Sequence, residues 1–221
     1  LANKMQNSSL TVAGLAPYFT YSETKEQLKP VFHAAAILGA KQIRCHSYLF
    51  NGETPYRELF AAQRRWLEER VLPVAEEFDV RLAIEQHHYQ ICCTPHACRA
   101  MCEGLPARYV GIIYDPGNSL MEGYTRPAYA ISVMGEYLAH VHVKACKPLV
   151  AAASGVVPTG RVYPYEWGSL AAGDLDWRMI IGELRKAGYR GYLSLEDLDQ
   201  RASDQKITED IPFIQRILSE I

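Results

Sequence analysis

Short β-rich segments that alternate with longer helical patterns predict an α/β fold with a parallel sheet that closes into a barrel. Two observations support this prediction. Six apolar segments have the length and composition of strands, and five stretches with helical spacing lie among them. Several strands also end in a polar residue, and a closed barrel would collect those residues in one polar mouth at the carboxyl ends of its strands.

The predicted elements follow one another along the whole chain. The strands are LTVAG (10–14), KQIRCH (41–46), RLAIE (81–85), YVGIIYD (109–115), AHVHVK (139–144) and GYLSLE (191–196). The helices lie at 24–39, 53–78, 94–104, 126–137 and 176–187. Residues 145–173 form one long loop, and a loop of that length usually covers or lines a binding site.

Composition and charge limit the classes of function. The chain has 221 residues, of which 48% are hydrophobic, so it can bury a full core. Its formal net charge is −2, which offers no basic surface to a nucleic-acid backbone. No apolar segment reaches the roughly 18 residues of a membrane helix, and LANKMQNSSL does not have the pattern of a signal peptide. We therefore expect a cytoplasmic enzyme that binds neither nucleic acid nor membranes.

The six cysteines are interpreted as packing residues. In TPHACRAMCEGL, Thr94 and Pro95 suit the start of a helix, and Cys98, Met101 and Cys102 would share one apolar face of it. No C-x-x-C pair occurs and no secretion signal is evident, so a structural metal site or a disulfide is the less favoured alternative.

Polar residues at the ends of four strands provide the candidate chemistry. Side chains alternate along a strand, which places aliphatic residues on one face and a polar residue on the other. Burying such groups without partners would cost about 1–3 kcal/mol each, and a barrel mouth avoids that cost. The four inward residues are Glu85, Asp115, His142 and Glu196.

These four residues match the ligand preferences of a divalent cation. Three carboxylates and one imidazole suit Mn²⁺, Mg²⁺, Co²⁺ or Zn²⁺. Without a cation, three neighbouring carboxylates would repel one another and take up protons. The alternative for any single residue is a buried polar side chain in a salt bridge, but four residues at matching strand positions favour a metal site.

The same segments resemble a known family. LAIEQH, VGIIYDPGN, HVHVKA and GDLDW…GYRGYLSLE are similar, in order, to the four signature segments of the xylose-isomerase-like TIM-barrel superfamily, the sugar phosphate isomerase/epimerase group. The resemblance implies a (β/α)8 barrel and a metal-dependent isomerase or epimerase of a keto sugar or sugar derivative. It also implies that the chain is one partial barrel domain over 1–221, with the first two βα units absent.

The resemblance further implies roles for individual residues. Glu85, Asp115, His142 and Glu196 would bind the metal, with Mn²⁺ expected first and Mg²⁺, Co²⁺ or Zn²⁺ as alternatives. Glu85 and Glu196 would also form the acid/base pair, unless the reaction shifts a hydride and they serve only as ligands. Two departures leave the sugar open: Asn118 stands where many epimerases of the group have a histidine, and Ala145 replaces the acid of the common HVKD.

Other inward or loop residues are candidates for substrate binding. Arginine and lysine can bind anionic groups, histidine can bind hydroxyls, and a loop aromatic can stack on a sugar face. The candidates are His87, Lys144, Asn118, His46, Arg44 and Trp167. The aromatic residues Tyr163, Tyr165 and Trp167 would equally suit an interface in a homo-oligomer, either a dimer or a tetramer.

Two other classes of function share this barrel. An endonuclease IV-like DNA repair enzyme would need a three-zinc cluster with more histidines than the chain offers, because Asn118 replaces one of them and GDLDW lacks an Asp-x-His pair. A non-catalytic barrel that binds a metal or a sugar is the second alternative.

Overall fold

The computed structural model describes residues 10–148 and 165–221. The helices are α1 (Lys25–Ile37), α2 (Tyr56–Trp66), α3 (Leu72–Phe78), α4 (Pro95–Cys102), α5 (Pro116–Met121), α6 (Pro127–Met134), α7 (Trp177–Lys186) and α8 (Ser203–Glu220). A π-helical turn (Leu67–Val71) joins α2 to α3, and a 3-10 turn (Gly135–Tyr137) follows α6. The strands are β1 (Gln42–Cys45), β2 (Arg81–Glu85), β3 (Val110–Tyr114), β4 (Leu138–Val143), β5 (Ala145–Pro148), β6 (Tyr165–Gly168) and β7 (Leu193–Leu195).

The strands form one five-stranded sheet and one two-stranded sheet. The order in the larger sheet is β1-β2-β3-β4-β7, and the smaller sheet pairs β5 with β6. The described chain divides into two compact units. Unit 1 contains residues 10–113 and 134–140, and unit 2 contains 114–133 with the described part of 141–221.

Unit 1 is built on parallel pairing of β1 with β2 and of β2 with β3. Arg44 is in register with Ala83, and Glu85 is in register with Ile113. The aliphatic residues of these strands are fully buried, which accounts for their continuous apolar sequence. Helix α1 begins with a capping box in which Thr24 and Gln27 satisfy each other's backbone N–H groups.

Unit 2 pairs β4 with β7 in parallel, and His142 is in register with Ser194. The β5–β6 hairpin is antiparallel and places Cys146 opposite Trp167. Asp176 caps the N-terminus of α7 by accepting from the N–H of Met179. The apolar face of α7 is buried through Trp177, Ile180, Ile181 and Leu184, which lie at helical spacing.

Five of the six predicted strands are confirmed, and β2 matches its predicted bounds, 81–85. The predicted strand LTVAG (10–14) is wrong. Residues 10–14 are not assigned to a strand, and the next residue, Leu15, forms an isolated bridge with Ile43 of β1.

Two helices and two strands were not predicted. The short helix α5 follows Asp115 directly, and α8 covers most of the last twenty residues. The predicted loop 145–173 begins with β5 and contains β6, so its described ends form a hairpin. Tyr163 lies outside the described residues, as does the rest of 149–164.

The packing role predicted for Cys98 and Cys102 is confirmed. Cys98, Met101 and Cys102 are fully buried, and α4 begins with Thr94 as its N-cap and Pro95 in its first turn. In the part of the chain that the structure describes, no helix combines the length and apolarity needed to cross a membrane. The single-domain assignment and the absence of two βα units stay predictions.

Candidate metal centre

Asp115 lies between β3 and α5, and its two carboxylate oxygens contact different partners. Oδ1 accepts a hydrogen bond of 2.8 Å from the backbone N–H of Asn118, which makes Asp115 the N-cap of α5. Oδ2 is 2.7 Å from Nζ of Lys144. The side chain is fully buried, so its orientation is determined by these partners.

Two further predicted ligands of unit 2 lie beside Asp115. His142 belongs to β4, and Glu196 follows β7, where its N–H donates to the carbonyl of Val143. His142 Nδ1 is 3.6 Å from Asp115 Oδ2 and 3.3 Å from Glu196 Oε2. Asp115, His142 and Glu196 each offer one ligand atom, and these atoms lie within 4.8 Å of one another.

Lys144 supplies the positive charge within this group. Its Nζ is 2.7 Å from Asp115 Oδ2 and 2.8 Å from Glu196 Oε2, and only 2% of its side chain is exposed. Burial disfavours the charged ammonium, but the two carboxylates outweigh burial and raise the pKa of Lys144 above its ordinary value. We call Asp115, His142, Lys144 and Glu196 the Lys144 cluster.

Residues around Lys144 include two of the predicted substrate contacts. Nζ donates to Oδ1 of Asn118 over 3.3 Å, and it lies 5.7 Å from the ring centre of Trp167, within range of a cation–π interaction. Gly117 lies so close to the Lys144 side chain that a Cβ added at Gly117 would be 2.5 Å from Cγ of Lys144. The lysine stem is therefore packed against backbone of α5.

An ion-pair network holds the loop that follows Glu196. Arg201 donates to four carboxylates at 2.6–2.7 Å, those of Asp197, Asp199, Glu209 and Asp210. Asp210 also accepts from the N–H of Leu170 through its Oδ1. The network thus joins the Glu196 loop to α8 and to the segment after β6. Sequence reasoning missed Arg201, because its partners come together only when α8 folds back.

Unit 1 contains a second group of ionisable residues. The carboxylate of Glu85, at the end of β2, is fully buried, and its Oε2 lies 2.8 Å from Nη1 of Arg44 and 3.1 Å from Nε2 of His46. The His87 ring lies 5.0 Å from the His46 ring, and burial lowers the pKa of His87. We call Arg44, His46, Glu85 and His87 the Arg44 cluster.

Comparisons with known proteins agree with the resemblance drawn from the motifs. The family model described as a xylose isomerase-like TIM barrel matches residues 1–217. The chain belongs to this family. No curated protein sequence matches the chain.

Solved structures with the xylose isomerase-like TIM barrel share the fold at low sequence identity. The 3-keto-D-glucoside 4-epimerase from E. coli is 17% identical with a TM-score of 0.71, and the match covers 99% of this chain and 81% of that one. A D-tagatose 3-epimerase-like protein is 15% identical with a TM-score of 0.75, covering 99% and 80%. The IOLI protein, crystallised with a zinc atom, is 16% identical with a TM-score of 0.74, covering 99% and 79%.

The predicted site residues of this xylose isomerase-like chain fall into the two clusters. Unit 2 brings together three predicted ligands, Asp115, His142 and Glu196, with the candidate substrate contacts Lys144, Asn118 and Trp167. Unit 1 brings together the fourth, Glu85, with Arg44, His46 and His87. The four-ligand assignment, the acid/base pair and the substrate contacts stay predictions.

Proposed function

We propose that this protein is a divalent-metal-dependent isomerase or epimerase that acts on a keto sugar or a sugar derivative. The observation that carries the proposal is the grouping of Asp115, His142 and Glu196 in unit 2, with ligand atoms within 4.8 Å of one another. The epimerases among the similar structures support the substrate class, and the zinc-containing one supports a metal.

The donor set of unit 2 fits a divalent ion. Ligand atoms that each lie about 2.0–2.2 Å from one ion are separated by roughly 3.0–3.6 Å. The separations of 3.3 and 3.6 Å from His142 Nδ1 to the two carboxylates have this size. Carboxylate oxygen and imidazole nitrogen are ligands that Mn²⁺, Co²⁺ and Zn²⁺ all accept. We assign Glu85 as the fourth ligand from its motif, LAIEQH.

The reaction that we propose is a pair of proton transfers by glutamates. A bound divalent ion would polarise a substrate carbonyl and make the proton on the adjoining carbon more acidic. One of Glu85 and Glu196 removes that proton. The other returns a proton to the opposite face, which gives an epimer, or to the neighbouring carbon, which gives an isomer. We propose that the substrate is oriented by the six predicted contact residues. These are Lys144, Asn118 and Trp167, which belong to unit 2, and Arg44, His46 and His87, which belong to unit 1.

The first test measures metal content and activity. Purified protein should contain one divalent ion per chain, lose it to a chelator, and regain turnover with Mn²⁺ on a panel of ketoses, keto-glycosides, inosose-type cyclitols and hydroxypyruvate. Asp115→Ala and His142→Ala should each lower metal content and turnover. Full activity in metal-free protein would contradict the proposal, and cleavage of an abasic DNA duplex would instead support the nuclease alternative.

The second test addresses the glutamates. Glu85→Gln and Glu196→Gln keep the side-chain shape but remove the base, so each should lower turnover by roughly 10²–10⁴-fold. The control is Glu77→Gln, because Glu77 is an exposed residue that pairs with Lys29. Turnover in D₂O should place deuterium at the reacting carbon. An absence of deuterium, together with near-normal turnover in both variants, would rule out the assignment of the glutamates.

A further inference from the structure

The Arg44 cluster contains the donor atoms for a metal site of its own. His46, Glu85 and His87 each offer one ligand atom, and the three atoms lie within 4.8 Å of one another. Two imidazoles and one carboxylate form a common protein ligand set for catalytic zinc. By ligand chemistry alone, unit 1 could therefore bind a divalent ion that the proposed function does not use.

Arg44 lies where it interferes with such an ion. Its Nη1 is 2.8 Å from His46 Nε2 and 2.8 Å from Glu85 Oε2, so one nitrogen of the guanidinium contacts two of the three donor residues. A guanidinium stays protonated throughout the working pH range of proteins. A divalent ion bound by His46 and Glu85 would therefore face a permanent positive charge within contact distance.

The position of Arg44 is well determined by its surroundings. The backbone N–H of Arg44 donates to the carbonyl of Leu15 at 2.7 Å, and Arg44 is in register with Ala83 of β2. The ring of Tyr18 lies 5.5 Å from the guanidinium carbon, within range of a cation–π interaction. The planar guanidinium needs little further ordering to hold a carboxylate. Arg44 is thus a built-in partner of Glu85.

We propose that the guanidinium of Arg44 takes the place of a second metal ion, so that the His46–Glu85–His87 donor set stays closed to metal. Arg44 is then a positioning residue, because it neutralises the buried carboxylate of Glu85 and fixes its Oε2. The proposal rests on the proposed function in one respect only, the assignment of Glu85 as a ligand of the ion bound with Asp115, His142 and Glu196.

The test counts metal ions per chain after equilibration with Zn²⁺ and removal of the unbound ion. We expect one ion in the wild-type protein and two in Arg44→Met, which keeps an apolar stem of similar length but removes the charge. The double variant Arg44→Met/His87→Ala should return to one ion, because the additional site loses a ligand. Arg108→Met is the matched control, since Arg108 is an exposed residue paired with Asp79, and it should keep one ion.

Two further variants keep the test decisive if Arg44→Met does not fold. Arg44→Gln also removes the charge but can still donate a hydrogen bond to Glu85, and we expect it to bind two ions. Arg44→Lys retains the charge and should bind one. Co²⁺ in place of Zn²⁺ gives a second readout, because an additional imidazole-bound cobalt changes the visible absorption spectrum.

The proposal and the proposed function can fail separately. Two ions in the wild-type protein, or an equal number of ions in the wild type and the folded charge-removing variant, would overturn the role of Arg44. No ion in the wild type and one in Arg44→Met would contradict the proposed function but support the role of Arg44.

Discussion

The Arg44 cluster and the Lys144 cluster both hold a buried carboxylate beside a basic side chain, but the basic group is a guanidinium in the first and an ammonium in the second. Each contains a buried carboxylate beside an imidazole, and in each one basic side chain forms an ion pair with that carboxylate. In unit 1, Nη1 of Arg44 lies 2.8 Å from Glu85. In unit 2, Nζ of Lys144 lies 2.7 Å from Asp115 and 2.8 Å from Glu196.

The difference between guanidinium and ammonium predicts different responses to a metal. Arginine holds a carboxylate with a rigid planar group, whereas lysine carries a point charge on a flexible chain. Lys144 contacts the same two oxygens, Asp115 Oδ2 and Glu196 Oε2, that His142 Nδ1 faces. We therefore expect an ion to displace Lys144 from these oxygens, with Asn118 as its remaining acceptor, whereas Arg44 stays in place.

The largest expected effect comes from removing the cation of the Lys144 cluster. Lys144→Met leaves buried Asp115 without its ammonium partner, so metal-free protein should lose about 3–5 kcal/mol of unfolding free energy. Saturating Mn²⁺ should recover most of this loss, because it supplies the missing charge. Urea unfolding with a chelator and with Mn²⁺ measures both values.

The matched control for this variant is Lys186→Met. Lys186 is 74% exposed and pairs only at the surface with Glu183, so the change should be within about 1 kcal/mol under both conditions. If Lys144→Met were equally destabilised with and without Mn²⁺, the ion and the lysine would not share the same oxygens, and the contrast with Arg44 would fail.

An intermediate effect is expected from Arg201, which tests whether Lys144 alone orients Glu196. Arg201→Gln removes charged hydrogen bonds to the Glu196 loop, and we expect a loss of about 1.5–3 kcal/mol of unfolding free energy. Turnover should fall on the order of tenfold as the Glu196 carboxylate becomes less well positioned. Urea unfolding and steady-state kinetics give the two values.

Arg178→Gln is the control for Arg201, because Arg178 pairs with Glu220 near the end of α8, outside the Lys144 cluster. It should leave turnover unchanged. Normal turnover in a destabilised Arg201→Gln variant would show that the network stabilises unit 2 without positioning Glu196.

The strands were more predictable from the sequence than the contacts between side chains. RLAIE has a continuous apolar pattern that ends in an acid, and β2 has the predicted bounds. Helix α8 was missed although Ile207, Ile211 and Ile214 have helical spacing, and its Pro212 lies inside the helix. The pairing of Arg44 with Glu85 could not be predicted. Alternation along β1 shows on which face of the strand Arg44 lies, but it does not show which residue of β2 the side chain contacts.

The smallest expected effect comes from moving Lys144 without changing its charge. A Cβ at Gly117 would lie 2.5 Å from Cγ and 3.1 Å from Cδ of Lys144, so Gly117→Ala must displace the lysine stem. We expect a loss on the order of 1–2 kcal/mol of unfolding free energy, as in other overpacked sites. Gly182→Ala is the control: Gly182 lies within α7, a Cβ there meets no atom within 4 Å, and alanine should stabilise the helix by about 0.5–1 kcal/mol.

Because the ion is expected to move Lys144 away from Asp115 and Glu196 in any case, Gly117→Ala should bind Mn²⁺ at least as tightly as the wild type. Calorimetric titration with Mn²⁺ measures this affinity, and a marked weakening would mean that the lysine stem supports the metal site rather than competing with the ion for its oxygens.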